Sequence, residues 1–159
     1  MSRVQLALNV SDLDAAVTFY SRLFGVAPSK LRPGYANFAV EEPPLKLVLI
    51  EGGGAPGTLN HLGVEVGSTD EVSAAGRRLT SAGLSTAAED EVACCYAVQD
   101  KVWVDDPDGA PWEIYTVLGE ADAPAGNLRA IAPGQAGTCC VPVGDTAGVA
   151  VGDPPTGSA

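Results

Sequence analysis

The chain has 159 residues, of which 46% are hydrophobic, and it carries a formal net charge of −11 at pH 7. A chain of this length can bury the core of one domain or of two small modules, whereas the negative charge excludes the basic surface that nucleic acids and anionic membranes bind. Because no apolar run reaches the length of a membrane span and the N-terminus lacks the features of a signal peptide, we predict a cytoplasmic protein.

The first half of the chain reads as a strand, a helix and two further strands. RVQLALNV is an apolar strand, and SDLDAAVTFYSRLFG predicts a helix with its apolar residues on one face. Ser11 or Asp12 can cap the start of this helix, and Gly25 ends it. YANFAV and LKLVLIE follow as strands on either side of EEPP.

The second half repeats this plan. LNHLGVEV, STDEVSAAGRRLTSAG and PWEIYTVLG read as a strand, a helix and a closing strand, and ACCYAVQDKVWVDDPDG reads as a strand or hairpin that runs into a turn. Gln5 matches His61 at an offset of 56, and Val10 and Leu23 have partners at the same offset. We therefore predict an α+β fold that consists of two βαβββ modules.

Composition indicates where the modules begin and end. We place the first module at residues 1–52, a flexible glycine-rich linker at 53–59 and the second module at 60–119, so that 1–119 form one structural domain. Residues 120–159 are rich in Ala, Gly and Pro and show no hydrophobic periodicity, which predicts a disordered tail.

This duplicated βαβββ unit resembles the vicinal oxygen chelate superfamily, which includes glyoxalase I, extradiol dioxygenases and bleomycin- and fosfomycin-resistance proteins. The resemblance covers about residues 3–118. It implies that the modules pair so that their sheets curl into a half-open barrel. It also implies a divalent metal ion in that barrel, with ligands from the first and last strands of each module.

The positions that the superfamily uses for ligands can be followed in this chain. They carry Gln5 in the first strand of module one, His61 in the first strand of module two, and Glu113 in the last strand of module two. The last strand of module one offers Lys46 or Leu47, and neither ligates a metal well. The resemblance therefore implies three protein ligands and open coordination positions.

Each candidate ligand also has a plainer interpretation. A lone histidine such as His61 is more often structural than a ligand. Glu113 lies in an apolar strand and is costly to bury unless it is paired or bound to a metal, but it could face water at an edge. Gln5 could be a polar residue on a half-exposed strand. Together, one imidazole, one carboxylate and one amide suit Fe(II) and O₂, with Mn, Co or Ni as substitutes in vitro.

Adjacent cysteines are the other unusual feature. Cys94 and Cys95 account for half of the four cysteines, and Cys139 and Cys140 form a second pair in the tail. Neighbouring Cα atoms lie about 3.8 Å apart, closer than a disulfide prefers, so we expect reduced thiols. Two soft thiolates on one turn would select trivalent arsenic or Cd(II). The alternative is that they are small buried apolar residues.

For both sulfurs to reach one atom, the chain must leave regular strand geometry at this pair, because successive strand side chains point to opposite faces. The tail pair could pass arsenicals inward or bind soft metals.

Tyr115 shares the strand face of Glu113, which makes it our preferred residue for lining the pocket.

The ligand set, the ACCY pair and the phrase RPGYANFAVEEPPLKLVLIE together resemble the ArsI/CadI group of the superfamily. This resemblance implies an Fe(II)-dependent dioxygenase that splits the carbon–arsenic bond of trivalent organoarsenicals, such as methylarsenite and reduced aromatic arsenicals, and releases arsenite. Gln5, His61 and Glu113 would bind the metal, O₂ would be the co-substrate, and Cys94, Cys95 and Tyr115 would bind the arsenical. The alternatives are a sequestration protein for cadmium or arsenic, and another oxygenase in which the cysteines are incidental. The chain could be a monomer or a homodimer.

Overall fold

Strand β1 (Arg3–Val10) has one face against a helix and one face turned into the concavity of the sheet. Its even-numbered apolar residues pack on helix α1 (Leu13–Phe24), while the opposite face buries Gln5, Ala7 and Asn9. Asp12 caps the helix by accepting a hydrogen bond from the Ala15 amide at 2.9 Å, and Gly25 ends it in the left-handed conformation, at φ 68°. The chain is described here from a computed structural model over residues 2–122.

Two βαβββ modules follow one another in the chain. The first contains β1, α1, β2 (Lys30–Arg32), β3 (Tyr35–Val40) and β4 (Leu45–Glu51). The second contains β5 (Leu59–Glu65), α2 (Thr69–Ser81), β6 (Thr86–Cys94), β7 (Ala97–Asp105) and β8 (Pro111–Glu120). Strand β2, a short edge strand, and most of β6 were not predicted as separate strands.

All eight strands form one mixed sheet in the order β2-β3-β4-β1-β5-β8-β7-β6. The modules meet through the antiparallel pair β1–β5, and each first strand pairs in parallel with the last strand of its own module. The sheet curls into a half-open barrel with both helices on its outer face, which confirms the predicted fold. Neither helix in residues 2–122 is long and apolar enough to cross a membrane.

The segment between the modules is attached to β1, although we expected a flexible hinge. The backbone of Asn9 donates to Thr58 at 2.9 Å and accepts from Gly57 at 2.8 Å. A Cβ atom at Gly53 or Gly54 would come within 3.0 Å of the Asn9 side chain. The two glycines therefore leave room for the Asn9 side chain to pack against the backbone of the linker. The predicted tail and its cysteines, Cys139 and Cys140, lie outside the described residues.

Candidate metal centre

Gln5, His61 and Glu113 converge on the concave face of the sheet, where β1, β5 and β8 lie side by side. The Gln5 Nε2 atom lies 3.0 Å from His61 Nε2 and 2.7 Å from Glu113 Oε1. His61 Nε2 and Glu113 Oε1 are 3.4 Å apart. All three side chains are at most 4% exposed. The structure therefore brings together the three residues that the sequence indicated as ligands.

Gly63 provides the space in which this cluster forms. It is the residue of β5 that pairs with Gln5 on one side and with Glu113 on the other. A Cβ atom at this position would lie 3.0 Å from Glu113 Cγ and 3.4 Å from Gln5 Cβ. A side chain here would push the two candidate ligands away from each other, so the missing Cβ is a requirement of the cluster.

Gly63→Ala should therefore displace Glu113 and weaken metal binding by about tenfold, a size typical of changes beside a ligand. The measurement is calorimetric titration of the purified chain with Co(II). The matched control is Gly76→Ala in α2, where an added Cβ would make only an ordinary contact with Val102 at 3.7 Å. Equal affinities for the two variants would contradict this account of Gly63.

Hydrogen bonding on the far side of the imidazole orients His61. Its Nδ1 lies 2.7 Å from Asn60 Oδ1, and because an amide oxygen only accepts, Nδ1 carries the proton and Nε2 has the lone pair. Asn60 is held in turn by a bond from its Nδ2 to Asn9 Oδ1 at 2.9 Å. The Trp103 ring packs nearly perpendicular to the imidazole, with the ring centroids 5.8 Å apart. This network directs Nε2 toward Gln5 and Glu113.

Lys101 is a component of the site that the sequence analysis missed. It lies on β7, is 1% exposed, and donates from Nζ to Glu113 Oε2 at 2.7 Å. Burial on its own raises the pKa of Glu113, but the charge of the Lys101 ammonium opposes burial, and the pKa lies well below its ordinary value. Glu113 is therefore a carboxylate with one oxygen on Lys101 and the other on the cluster.

Tyr115 follows the same strand face as Glu113, as predicted. Its hydroxyl donates to Gln5 Oε1 at 2.5 Å and lies 3.4 Å from Glu65 Oε2. Burial, followed by the Glu65 and Glu113 charges, raises the pKa of Tyr115 far above its ordinary value, so the phenol keeps its proton. The hydroxyl thus points at a candidate ligand rather than into open space.

The strand register corrects one detail of the sequence analysis. In the first module Ala7 pairs with Val48. In the second module Gly63, the residue equivalent to Ala7, pairs with Glu113. Val48, rather than Lys46 or Leu47, therefore occupies the position equivalent to Glu113. The conclusion that module one offers no fourth ligand there is unchanged, because valine has no donor atom.

The adjacent cysteines form a turn at the end of β6, which we call the thiol turn (Cys94–Cys95–Tyr96). Cys95 and Tyr96 have positive φ angles of 53° and 63°, so the chain leaves strand geometry as expected. Cys94 is a thiol and donates to Cys95 Sγ at 3.3 Å. Cys95 itself is disulfide-bonded, which corrects the expectation that both thiols are reduced. The short Cα separation disfavours only a bond between Cys94 and Cys95 themselves.

The thiol turn packs over the same concave face as the ligand cluster. Its residues form one buried group with Ala7, Tyr35, Val48 and Ile50. Ala7 is two residues from Gln5 and pairs with His61 across the seam between the modules, so one member of this buried group lies beside the ligand cluster. Lys30 of module one donates to the Tyr96 carbonyl at 2.9 Å, which fixes the turn from the opposite edge of the sheet.

With this geometry established, comparison with known proteins identifies the family. Residues 3–114 match the sequence family described as the Glyoxalase/Bleomycin resistance protein/Dioxygenase superfamily. The chain belongs to this superfamily. Among solved structures, the Mn(II)-bound glyoxalase from Novosphingobium aromaticivorans has the same fold, with a TM-score of 0.54 and 21% sequence identity over 76% of this chain and 42% of that one.

Much closer relatives within the superfamily are known by sequence. The chain is 57% identical to the "trivalent organoarsenical cleaving enzyme" of Thermomonospora curvata, over 96% of this chain and 97% of that protein. It is 58% identical to the "cadmium-induced protein CadI" of Mycobacterium tuberculosis H37Rv, over 88% of this chain and 93% of that protein. The relationship extends over nearly the whole length of each protein.

The residues of the cluster fit the divalent metal that the superfamily implies. His61 Nε2 and Glu113 Oε1, 3.4 Å apart, are a lone-pair nitrogen and a carboxylate oxygen that could share one ion, and the end of the Gln5 amide lies 3.0 and 2.7 Å from them. Within residues 2–122 no group of three or more His, Cys, Asp or Glu side chains is arranged to hold a metal. A centre at this position therefore needs the amide of Gln5 as its third ligand.

Proposed function

We propose that this protein is an Fe(II)-dependent dioxygenase that cleaves the carbon–arsenic bond of trivalent organoarsenicals and releases arsenite. The observation that carries the proposal is the juxtaposition of a His–Glu–Gln cluster and a pair of adjacent cysteines on one concave face. The relative named as a trivalent organoarsenical cleaving enzyme, 57% identical over almost the full length, supports the substrate class.

His61, Glu113 and Gln5 would hold the metal. One imidazole and two oxygen donors leave several coordination positions open, and Fe(II) in such a site supplies the binding and activation of O₂. Asn60 keeps the lone pair of His61 Nε2 on the metal side, and Lys101 holds the second carboxylate oxygen of Glu113. Both contacts keep the ligands in place before substrate arrives.

Cys94 and Cys95 would bind the arsenic atom and leave its organic substituent facing the cluster. Trivalent arsenic is soft and thiophilic, and the turn places both sulfurs 3.3 Å apart. Because Cys95 is disulfide-bonded in the structure, capture by both sulfurs requires its reduction first. We therefore also propose that the protein works in the cytoplasm, where thiols remain reduced.

The surroundings of the thiol turn suit an uncharged organic group. Val48 and Ile50 line the same buried group as the sulfurs, and an arsenous acid with one organic substituent is neutral near neutral pH. The role of the fold is then to hold the carbon–arsenic bond beside the metal in an orientation that favours cleavage.

The test is aerobic turnover. Metal-free protein is kept reduced, loaded anaerobically with Fe(II), and mixed with methylarsenite and air. We expect arsenite to appear in step with O₂ uptake, and both signals to be lost in His61→Ala, which removes the nitrogen ligand. Chromatography with elemental detection measures arsenite, and an oxygen electrode measures uptake. Arsenical binding without arsenite release by the wild-type protein would refute the proposal.

A sequestration protein is the second candidate function. The relative from Mycobacterium tuberculosis, named for its induction by cadmium, is 58% identical to this chain, and paired thiolates bind Cd(II) strongly. Sequestration needs the thiol turn but not the ligand cluster. Tight Cd(II) binding that survives in His61→Ala, together with absent turnover in the wild type, would favour this function.

A further inference from the structure

The amide of Gln5 is oriented with its nitrogen toward the other two ligands. Its Nε2 faces His61 Nε2 and Glu113 Oε1, and its Oε1 accepts from the Tyr115 hydroxyl. An amide nitrogen carries two hydrogens and offers no lone pair to a metal. In this orientation the Gln5 amide nitrogen donates to two acceptors. The amide would have to rotate by half a turn to present Oε1 to a metal ion.

A half-turn also changes what Tyr115 must do. The amide nitrogen would then face the phenol oxygen, which can accept a hydrogen bond only if its own proton points elsewhere. Glu65 Oε2, 3.4 Å from the hydroxyl, is an acceptor for that proton. Glu65 is kept in place by Arg3 at 3.6 Å and by Lys46 at 3.5 Å. Tyr115 can therefore donate either to Gln5 or to Glu65.

We infer that Tyr115 and Glu65 are positioning residues that hold the Gln5 amide in the orientation that binds metal. With Glu65 taking the phenol proton, Tyr115 accepts from Gln5 Nε2, and the amide oxygen is left on the side of His61 and Glu113. This assignment rests on the proposed metal centre and goes beyond it. The assignment gives Tyr115 a positioning function, which a residue that only lines a pocket would not have.

Tyr35 provides the matched comparison. It is also a buried tyrosine on the concave face, at 4% exposure, but its hydroxyl accepts from Asn37 Nδ2 at 3.0 Å. Removing that hydroxyl changes the packing of the same face to a similar extent and leaves the Gln5 amide untouched. A purely structural contribution of a buried phenol would therefore affect Tyr35 and Tyr115 alike.

The experiment is calorimetric titration of the metal-free, full-length protein with Co(II), for the wild type, Tyr115→Phe, Glu65→Met and Tyr35→Phe. We expect Tyr115→Phe and Glu65→Met to weaken Co(II) affinity by about 10- to 100-fold, the range for removal of such partners. Tyr35→Phe should stay within about threefold of the wild type. Equal affinities for Tyr115→Phe and Tyr35→Phe would overturn the inference. If Tyr115→Phe fails to fold, Glu65→Met decides in the same way, because methionine offers no oxygen acceptor for the phenol proton.

A double substitution separates orientation from packing. In Gln5→Glu both terminal atoms are oxygens, so no orientation has to be chosen. Adding Tyr115→Phe to Gln5→Glu should then cost less than about threefold in Co(II) affinity, against the 10- to 100-fold loss beside glutamine. An equal loss in both backgrounds would contradict the inference. Normal Co(II) binding without arsenite release by the Fe(II) protein would refute the lyase and leave this assignment standing.

Discussion

Substitution of Cys94 or Cys95 by alanine should lower arsenite release about 100-fold or more while leaving metal binding unchanged. With one sulfur gone, the arsenic atom loses one of its two anchors, and displacement of a reacting bond by about 1 Å can cost a factor of 100 in rate. The atoms proposed to bind the metal belong to Gln5, His61 and Glu113, so neither substitution removes a metal ligand. The measurement is turnover of the Fe(II)-loaded protein with methylarsenite, beside a Co(II) titration.

His61→Ala is the reciprocal control for the cysteine variants. It should lose Co(II) binding and turnover but keep stoichiometric binding of the arsenical by the reduced thiols. The metal site and the arsenical site would thus be inactivated separately, each by its own substitution. Full activity in Cys94→Ala would identify the cysteines as incidental and point to a different substrate for the same cluster.

Lys101→Met should lower the free energy of unfolding of the metal-free protein by about 3–5 kcal/mol, the cost of removing one partner from a buried ion pair. The change leaves the Glu113 carboxylate buried with its Oε2 atom deprived of a donor that lay at 2.7 Å. Urea denaturation followed by circular dichroism measures the loss. Replacing both partners, as Lys101→Met with Glu113→Gln, should recover part of it, because no charge is then left unpaired.

The dependence of this loss on pH has a definite sign. In the wild type the pKa of Glu113 lies below its ordinary value of 4.5, so its stabilising contribution is present above that pH and is lost as the pH falls through the lower, folded-state pKa. In Lys101→Met the ammonium charge that offsets the effect of burial is gone, so the pKa of Glu113 rises. The stability difference between the two proteins should therefore widen from about pH 4 to about pH 7.

Lys46→Met is the matched control. Lys46 is also a lysine of the concave face, but its Nζ lies 3.5 Å from Glu65, and burial already lowers its pKa. Its removal should cost clearly less than removal of Lys101 and should leave the pH dependence below neutral unchanged. Equal losses for the two lysines would contradict the importance assigned to the Lys101–Glu113 pair.

The sequence indicated the three candidate ligands through the resemblance to the superfamily, which places them in the first strand of each module and the last strand of the second. Gln5 and His61 share the module offset, and the alternation of β8 places Tyr115 on the face of Glu113. Both relations follow from the periodicity of the sequence itself, so they can be recognised without knowing how the strands pair. The break in strand geometry at the thiol turn was predictable for the same reason, since two adjacent strand residues cannot face one way.

Features that depend on pairing between strands were not predictable in this way. Lys101 belongs to the site only because β7 lies beside β8, and a lysine within an apolar strand, two residues before Trp103, was the signal that could have indicated it. The equivalence of Val48 and Glu113 depends on the register of two parallel pairs. The state of Cys95 depends on chemistry that residue spacing does not encode.

Because the cluster lies at the seam between β1 and β5, a metal ion bound there as proposed would link metal supply to the lifetime of the folded chain. Gln5 comes from one module and His61 and Glu113 from the other, so an ion bound there recognises only the docked pair. An ion at about 100 times its Kd adds about 2.7 kcal/mol to the free energy of keeping the modules together. Conditions that withdraw the ion would thus lower the resistance of the protein to unfolding and proteolysis, as well as its activity.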